Sequence, residues 1–174
     1  YGLLSGNQII CGLRTITSCT LESSVTTIAN CAFANSQVQR IQFSSALTTI
    51  GNYAFDSCTS LRTIDLPSTV TTIGDFAFSG CTYLNSITIP NSVTTIGSNA
   101  FERTIITSMN INQPVSQISD FLFASCSKLL SINITSSIQS IGNRSFYQCT
   151  SMTSISIPDS VQTIAEYAFY GCYS

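Results

Sequence analysis

The sequence predicts a repeat solenoid of β-rich α/β character, one continuous domain with a parallel β-sheet on a concave face and short helical or 3₁₀ turns opposite. Three observations predict it. Anchor phenylalanines recur at Phe33, Phe55, Phe78, Phe101, Phe123, Phe146 and Phe169, at intervals of 22 or 23 residues. The residue five positions before each is always isoleucine: Ile28, Ile50, Ile73, Ile96, Ile118, Ile141 and Ile164. Between anchors runs an alternating apolar segment that often ends in proline, such as Leu61-x-x-Ile64-x-Leu66-Pro67. Self-similarity at such a period marks coils that bury their core only by stacking on their neighbours.

The elements follow in order. Residues 1–24 read as an irregular N-terminal coil, with Gly6 to Ile10 aligned on Ala29 to Phe33 and Ile10 in the Phe column. Residues 25–174 read as about seven tandem coils. In the third, Ile64 and Leu66 share one face of a short strand, while Thr63, Asp65 and Pro67 share the other. Pro67-Ser68-Thr69 turns the chain into a second extended piece, Val70-Thr71-Thr72-Ile73, which Gly74 ends. The next position reads Asn30, Asn52, Asp75, Ser98, Asp120, Asn143 and Glu166. Six of these seven are good N-cap residues, so a short helical turn is expected to start there. Equivalent strands of successive coils must pair in parallel, and parallel crossovers are overwhelmingly right-handed, which predicts a right-handed superhelix.

Composition narrows the function classes. Charged residues are 8% of the chain, against roughly 25% in ordinary soluble domains. Polarity comes instead from 29 Ser and 22 Thr. A net charge of −2, with six scattered Lys and Arg, argues against nucleic acid and anionic membrane as partners. No apolar run approaches membrane-spanning length, so no membrane insertion is expected within this segment. The chain opens on Tyr1 rather than Met and reads as a processed chain or a fragment. Asn133-Ile134-Thr135 and Asn143-Arg144-Ser145 are possible glycosylation sequons.

Of the eight cysteines, Cys58, Cys81, Cys126, Cys149 and Cys172 sit three residues after an anchor Phe. They read as a buried column of small side chains. In the two shortened loops the Cys is replaced by Ser36 and Thr104, which suggests that the thiol fills space left by a full-length loop. Disulfides between adjacent coils, Cys58 with Cys81 for instance, stay open, as does a local one among Cys11, Cys19 and Cys31. With one thiol per coil and no His, no metal site or cofactor is expected. The absence of His also excludes Ser-His-Asp and Cys-His catalysis. Asp75, Asp120 and Glu166 skip alternate coils, so they should lie roughly 10 Å or more apart, too far for a retaining acid–base pair. A non-enzyme is expected.

Two surfaces are candidates for binding. Outward positions of the first strand should line the concave sheet: Arg40, Gln42, Thr63, Asp65, Ser86, Thr88, Ser108, Asn110, Ser131, Asn133, Ser154 and Ser156, with Ser44, Asn112, Thr135 and the prolines at its rim. These columns vary while the buried ones repeat. The second surface is the hydroxyl ladder Thr26-Thr27, Thr48-Thr49, Thr71-Thr72 and Thr94-Thr95, which degenerates to Ser116-Gln117, Gln139-Ser140 and Gln162-Thr163. Such a lattice could meet ice or a polysaccharide surface.

The repeat Leu-x-x-Ile-x-Ile-Pro-x-Ser-Val-Thr-Thr-Ile-Gly-x-x-Ala-Phe-x-x-Cys, seen most cleanly in Leu84 to Phe101 and Leu61 to Cys81, resembles the BspA-like leucine-rich repeat. The resemblance covers essentially the whole chain. It implies a cell-surface or secreted protein with a role in adhesion to host cells or matrix, and hence an extracellular protein or glycan ligand. It carries over no binding residue, because the shared columns are the buried ones. Two departures stand out: the irregular first coil, and a sequence running only to Ser174, just past Cys172, with no polar cap. Exposed solenoid ends need capping, so homo-association end to end is a further expectation.

Overall fold

The computed structural model describes residues 15–111 and 114–173, together with the backbone of strands Leu4–Ser5 and Gln8–Ile9. Ile10, Cys11 and Asn112 lie outside the described residues. The chain is a parallel-strand solenoid whose coils stack in register. Each coil from the one holding Ile28 to the one holding Ile141 contributes a strand of three or four residues, a two-residue strand ending in the invariant isoleucine, and a turn segment carrying the anchor Phe. The last coil keeps only the latter two, and the strand expected through Ser154 and Ser156 is not formed.

The isoleucine strands make the longest ladder. Thr27–Ile28, Thr49–Ile50, Thr72–Ile73 and Thr95–Ile96 pair in parallel, isoleucine against isoleucine. Gln8–Ile9 joins the same sheet by pairing Ile9 with Ile28, and Leu4–Ser5 closes its edge as an antiparallel strand. The first coil is therefore registered on its isoleucine and not by the 23-residue offset expected from the sequence. Gln117–Ile118, Ser140–Ile141 and Thr163–Ile164 form a second ladder.

At the break between the two ladders one backbone bond is exchanged for a side-chain bond. Glycine follows four of the isoleucines, and the N–H groups of Gly51, Gly74, Gly97 and Gly142, like that of Ala165, donate to the preceding coil's isoleucine carbonyl at 2.8–2.9 Å. A Cβ on Gly74 would meet the backbone nitrogen of Asn52 at 2.7 Å and the carbonyl carbon of Gly51 at 2.8 Å. Ser119 occupies this column at the break, and its hydroxyl, not its N–H, takes the Ile96 carbonyl.

The longer strands are Ser18–Thr20, Arg40–Gln42, Thr63–Asp65, Ser86–Thr88, Ser108–Ile111 and Ser131–Ile134. They pair in twos, with Ser18 against Arg40, Thr63 against Ser86 and Ser108 against Ser131, so the sheet expected to run unbroken along this side is a row of paired strands. Residues 18–20, inside the stretch read as irregular, thus form a regular strand.

The expected helical turn is absent: no helix occurs among the described residues. In the turn segment alternate N–H groups go to different places. Those of Ala32, Ala34 and Ser36 bond back three residues to Ala29, Cys31 and Phe33 at 2.9–3.3 Å, while those of Cys31, Phe33 and Asn35 reach the next coil at Asn52, Ala54 and Asp56 at 2.7–2.9 Å. Two residues per coil take positive φ, for example Tyr53 (57°) and Ser57 (57°), which ends any run of helical dihedrals. The alternation satisfies the backbone between coils, and a helix would satisfy it within one.

The core lies between these three sides. Phe33, Phe55, Phe78, Phe101, Phe123 and Phe146 are fully buried and stack ring on ring through to Phe169, with centroids 4.9–5.8 Å apart and planes within 14°. Such pairs add about 0.5–1.5 kcal/mol beyond their buried area. The isoleucine column is buried up to Ile141, while Ile164 in the last coil is 50% exposed.

Candidate binding face

Alternation on the longer strands does what the sequence pattern requires. Ile64, Ile87, Met109 and Ile132 are buried in the core. Their neighbours Arg40, Gln42, Thr63, Asp65, Ser86, Thr88, Ser108, Asn110, Ser131 and Asn133 are all exposed, and so are Ser154 and Ser156 in the following coil. Register sets like against like: Ser108 faces Ser131 and Asn110 faces Asn133 on adjacent strands. Open hollows run along the same face, one lined by Ser18, Arg40, Gln42, Thr63 and Asp65, another by Ser108, Asn110, Ser131, Asn133, Ser154 and Ser156. Of the twelve candidate residues only Arg40 and Asp65 carry charge. The face can offer hydroxyl and amide hydrogen bonds along an extended ligand, and its hollows are too open for an enclosed small-molecule pocket.

Ser44 departs from expectation. It is buried, its hydroxyl donates to the Ser23 carbonyl at 3.0 Å and accepts the Ala46 N–H at 3.0 Å. The strand ends at Gln42, so the alternation does not extend to Ser44. Of the two sequon asparagines, Asn133 is exposed on its strand, whereas Asn143 has a buried Oδ1 and its sequon partner Ser145 is fully buried.

In the hydroxyl ladder, Thr48, Thr71 and Thr94 donate their side-chain hydroxyls to the carbonyls of Thr26, Thr48 and Thr71 at 3.1–3.3 Å. The array is fixed by the coils beneath it and spans residues 26–95 only.

The cysteine column is buried and free at Cys58, Cys81, Cys126 and Cys149, and half-buried at Cys172. Each thiol donates to the anchor Phe carbonyl of the coil before, Cys58 to Phe33 at 3.0 Å and Cys81 to Phe55 at 3.1 Å being the first two. Ser36 and Thr104 hold the same buried place in the shortened coils, with their hydroxyls 3.3 Å from the thiols of Cys58 and Cys126. Burial holds the Cys81 thiol well above its ordinary range and pushes Cys126 up to about 12. Cys19 and Cys31, candidates for a local disulfide, are free.

The residues read as helix caps have another role. Asn30, Asn52, Asp75 and Asp120 each accept, through the side-chain oxygen, the backbone N–H of the equivalent residue one coil on: Asn52, Asp75, Ser98 and Asn143, at 2.7–2.9 Å. An N-cap bonds within its own turn; here the acceptor serves the neighbouring coil, 22 or 23 residues away.

These features, repeated over the whole chain, coincide with a family match: six copies of the BspA type leucine rich repeat region, over residues 6–129 and 48–174. The chain belongs to the BspA-type leucine-rich-repeat family. Solved relatives agree with the fold of this BspA-type chain. It is similar to a leucine-rich repeat protein of T. pallidum, 30% identical, with TM-score 0.74 over 84% of this chain and 67% of that one. A leucine-rich repeat protein from Eubacterium ventriosum is 26% identical, with TM-score 0.79 over 95% of this chain and 46% of that one. A leucine rich cell surface protein from Faecalibacterium prausnitzii is 28% identical, with TM-score 0.67 over 87% of this chain and 50% of that one. The BspA-type chain thus spans about half the length of the latter two. No curated protein sequence matches it significantly.

One surface escaped sequence reasoning. The position two residues before each anchor Phe holds Tyr53, Phe76, Phe121 and Tyr167, all at positive φ and all at least partly exposed. A plot of this column alone would have found it, since four of its seven residues are aromatic.

Proposed function

We propose that this chain is a non-enzymatic binding module of a cell-surface or secreted protein, and that it adheres to a protein or glycan through the face running from Arg40 to Ser156. One observation carries the reading: all twelve outward residues are exposed and none is apolar, while Ile64, Ile87, Met109 and Ile132 between them are buried. Similarity to the leucine rich cell surface protein of Faecalibacterium prausnitzii supports the location. The low charge favours many weak polar contacts over electrostatic capture. The test is a triple Gln42→Arg, Thr88→Arg, Asn110→Arg chain assayed for binding to epithelial cells, immobilised matrix proteins and a glycan array. Loss of binding by tenfold or more supports the proposal, and binding equal to wild type refutes it.

The fixed Thr48, Thr71 and Thr94 hydroxyls favour a second reading, contact with an ordered ice or polysaccharide surface. A thermal-hysteresis measurement decides the ice part: no hysteresis removes it.

A further inference from the structure

The aromatic column lies on the turn side of the coil, apart from the proposed binding face, and does not depend on it. Tyr53 and Phe76 stack with centroids 4.7 Å apart and planes 5° apart. Three coils after Phe76 the Arg144 guanidinium lies 5.6 Å from the Phe121 centroid and 4.9 Å from the Tyr167 centroid, sandwiched between rings of the coils before and after it. The level between Phe76 and Phe121 belongs to Asn99, whose short side chain turns to Glu102, donating from Nδ2 to Oε2 at 3.0 Å. Two strand spacings of ~4.8 Å put the rings of Phe76 and Phe121 roughly 10 Å apart, room for one flat group between them. The backbone that carries these rings is common to the column: Phe76 and Phe121 sit at φ 54°, Asn99 at 57° and Arg144 at 49°, so the turn presents every side chain of the column alike.

We propose that the gap over Asn99, between Phe76 and Phe121, is a receptor slot for an arginine side chain of a partner protein. The chain itself shows what such a level accepts, since Arg144 fills the equivalent one. A guanidinium is flat enough for the gap, and both ring faces attract its charge. The surroundings are acidic: Glu102 borders the slot, and exposed Asp75 and Asp120 precede the two rings in sequence. Glu102 has one cationic neighbour, with Oε1 3.4 Å from Nε of the exposed Arg103.

The test uses the full chain and two probes, N-acetyl-arginine methylamide and N-acetyl-lysine methylamide, titrated while NMR follows the Phe76 and Phe121 rings and the Asn99 amide. The arginine probe should give saturable shifts at these three residues, with the lysine probe at least tenfold weaker because it is not planar. Asn99→Arg should fill the slot from within, weaken arginine binding at least tenfold and melt no lower than wild type. If that variant does not fold, Phe121→Leu should give the same loss of binding. Glu102→Gln should weaken binding about threefold or more. Arginine binding that survives Asn99→Arg or Phe121→Leu, shifts elsewhere on the surface, or tighter binding of the uncharged ring p-cresol than of the arginine probe would each overturn the proposal.

Discussion

The side-chain oxygen of Asn52 accepts the backbone N–H of Asp75 at 2.9 Å, and the residue that lets the two coils come this close is Gly74. The same arrangement recurs after Gly51, Gly97 and Gly142 and fails after Ser119 and Ala165, where the Asp120 and Glu166 N–H groups do not reach the preceding coil's side chain. Glycine and the short polar side chain beneath it therefore work as one unit that clips each coil to the next.

Gly74→Ala tests the steric half of this unit. Its Cβ would collide with backbone of the preceding coil, and backbone can move only by separating the coils. We expect a loss of about 2–4 kcal/mol, combining overpacking with a broken hydrogen bond. Urea denaturation of variant and wild type measures it.

Ala165→Gly tests the converse. Asn143 Oδ1 is buried with no partner, and Ala165 stands where glycine would admit the Glu166 N–H. Satisfying a buried acceptor is worth about 1–3 kcal/mol, against about 1 kcal/mol for the freedom of an added glycine. The variant should melt at or above the wild-type temperature, with the Glu166 amide newly protected from exchange.

Ser145→Ala should stabilise. Ser145 is fully buried with an unpartnered hydroxyl, in a column that is alanine at Ala32, Ala54, Ala77, Ala100 and Ala168. Removing the orphan hydroxyl should add about 1 kcal/mol, read as a higher urea midpoint.

Cys126 predicts an alkaline limb to stability. Its folded pKa of about 12 exceeds the reference 9.0, so between these values the folded state holds a proton that the unfolded state releases. Stability is then full below pH 9 and falls as pH rises towards 12. Cys126→Ser keeps a donor for the Phe101 carbonyl and should make this limb shallower in urea titrations between pH 8 and pH 11, the remainder coming from the buried thiols of Cys81 and Cys149. At pH 8 a thiol reagent should leave Cys58, Cys81, Cys126 and Cys149 untouched until the chain unfolds.

The period, the buried columns and the outward face were legible in the sequence because each is a statement about side-chain direction along one strand. Ile64 and Thr63 sort themselves by alternation whatever the neighbouring coil does. The role of Asn52 was not legible in the same way. Its residue type suits a helix cap and an inter-coil acceptor equally, and the N–H it bonds is 23 residues away. The turn at Tyr53 and Ser57 was hidden for a different reason: neither residue type is favoured at positive φ, and inter-coil hydrogen bonds hold them there against that preference. Ser44 was misplaced because the strand stops two residues before it.

Native-state amide hydrogen exchange tests the glycine-and-acceptor clip most directly. The account predicts slow exchange at Asn52, Asp75, Ser98 and Asn143, whose N–H groups are held by the preceding coil, and fast exchange at Asp120 and Glu166. Equal protection at all six amides would contradict it.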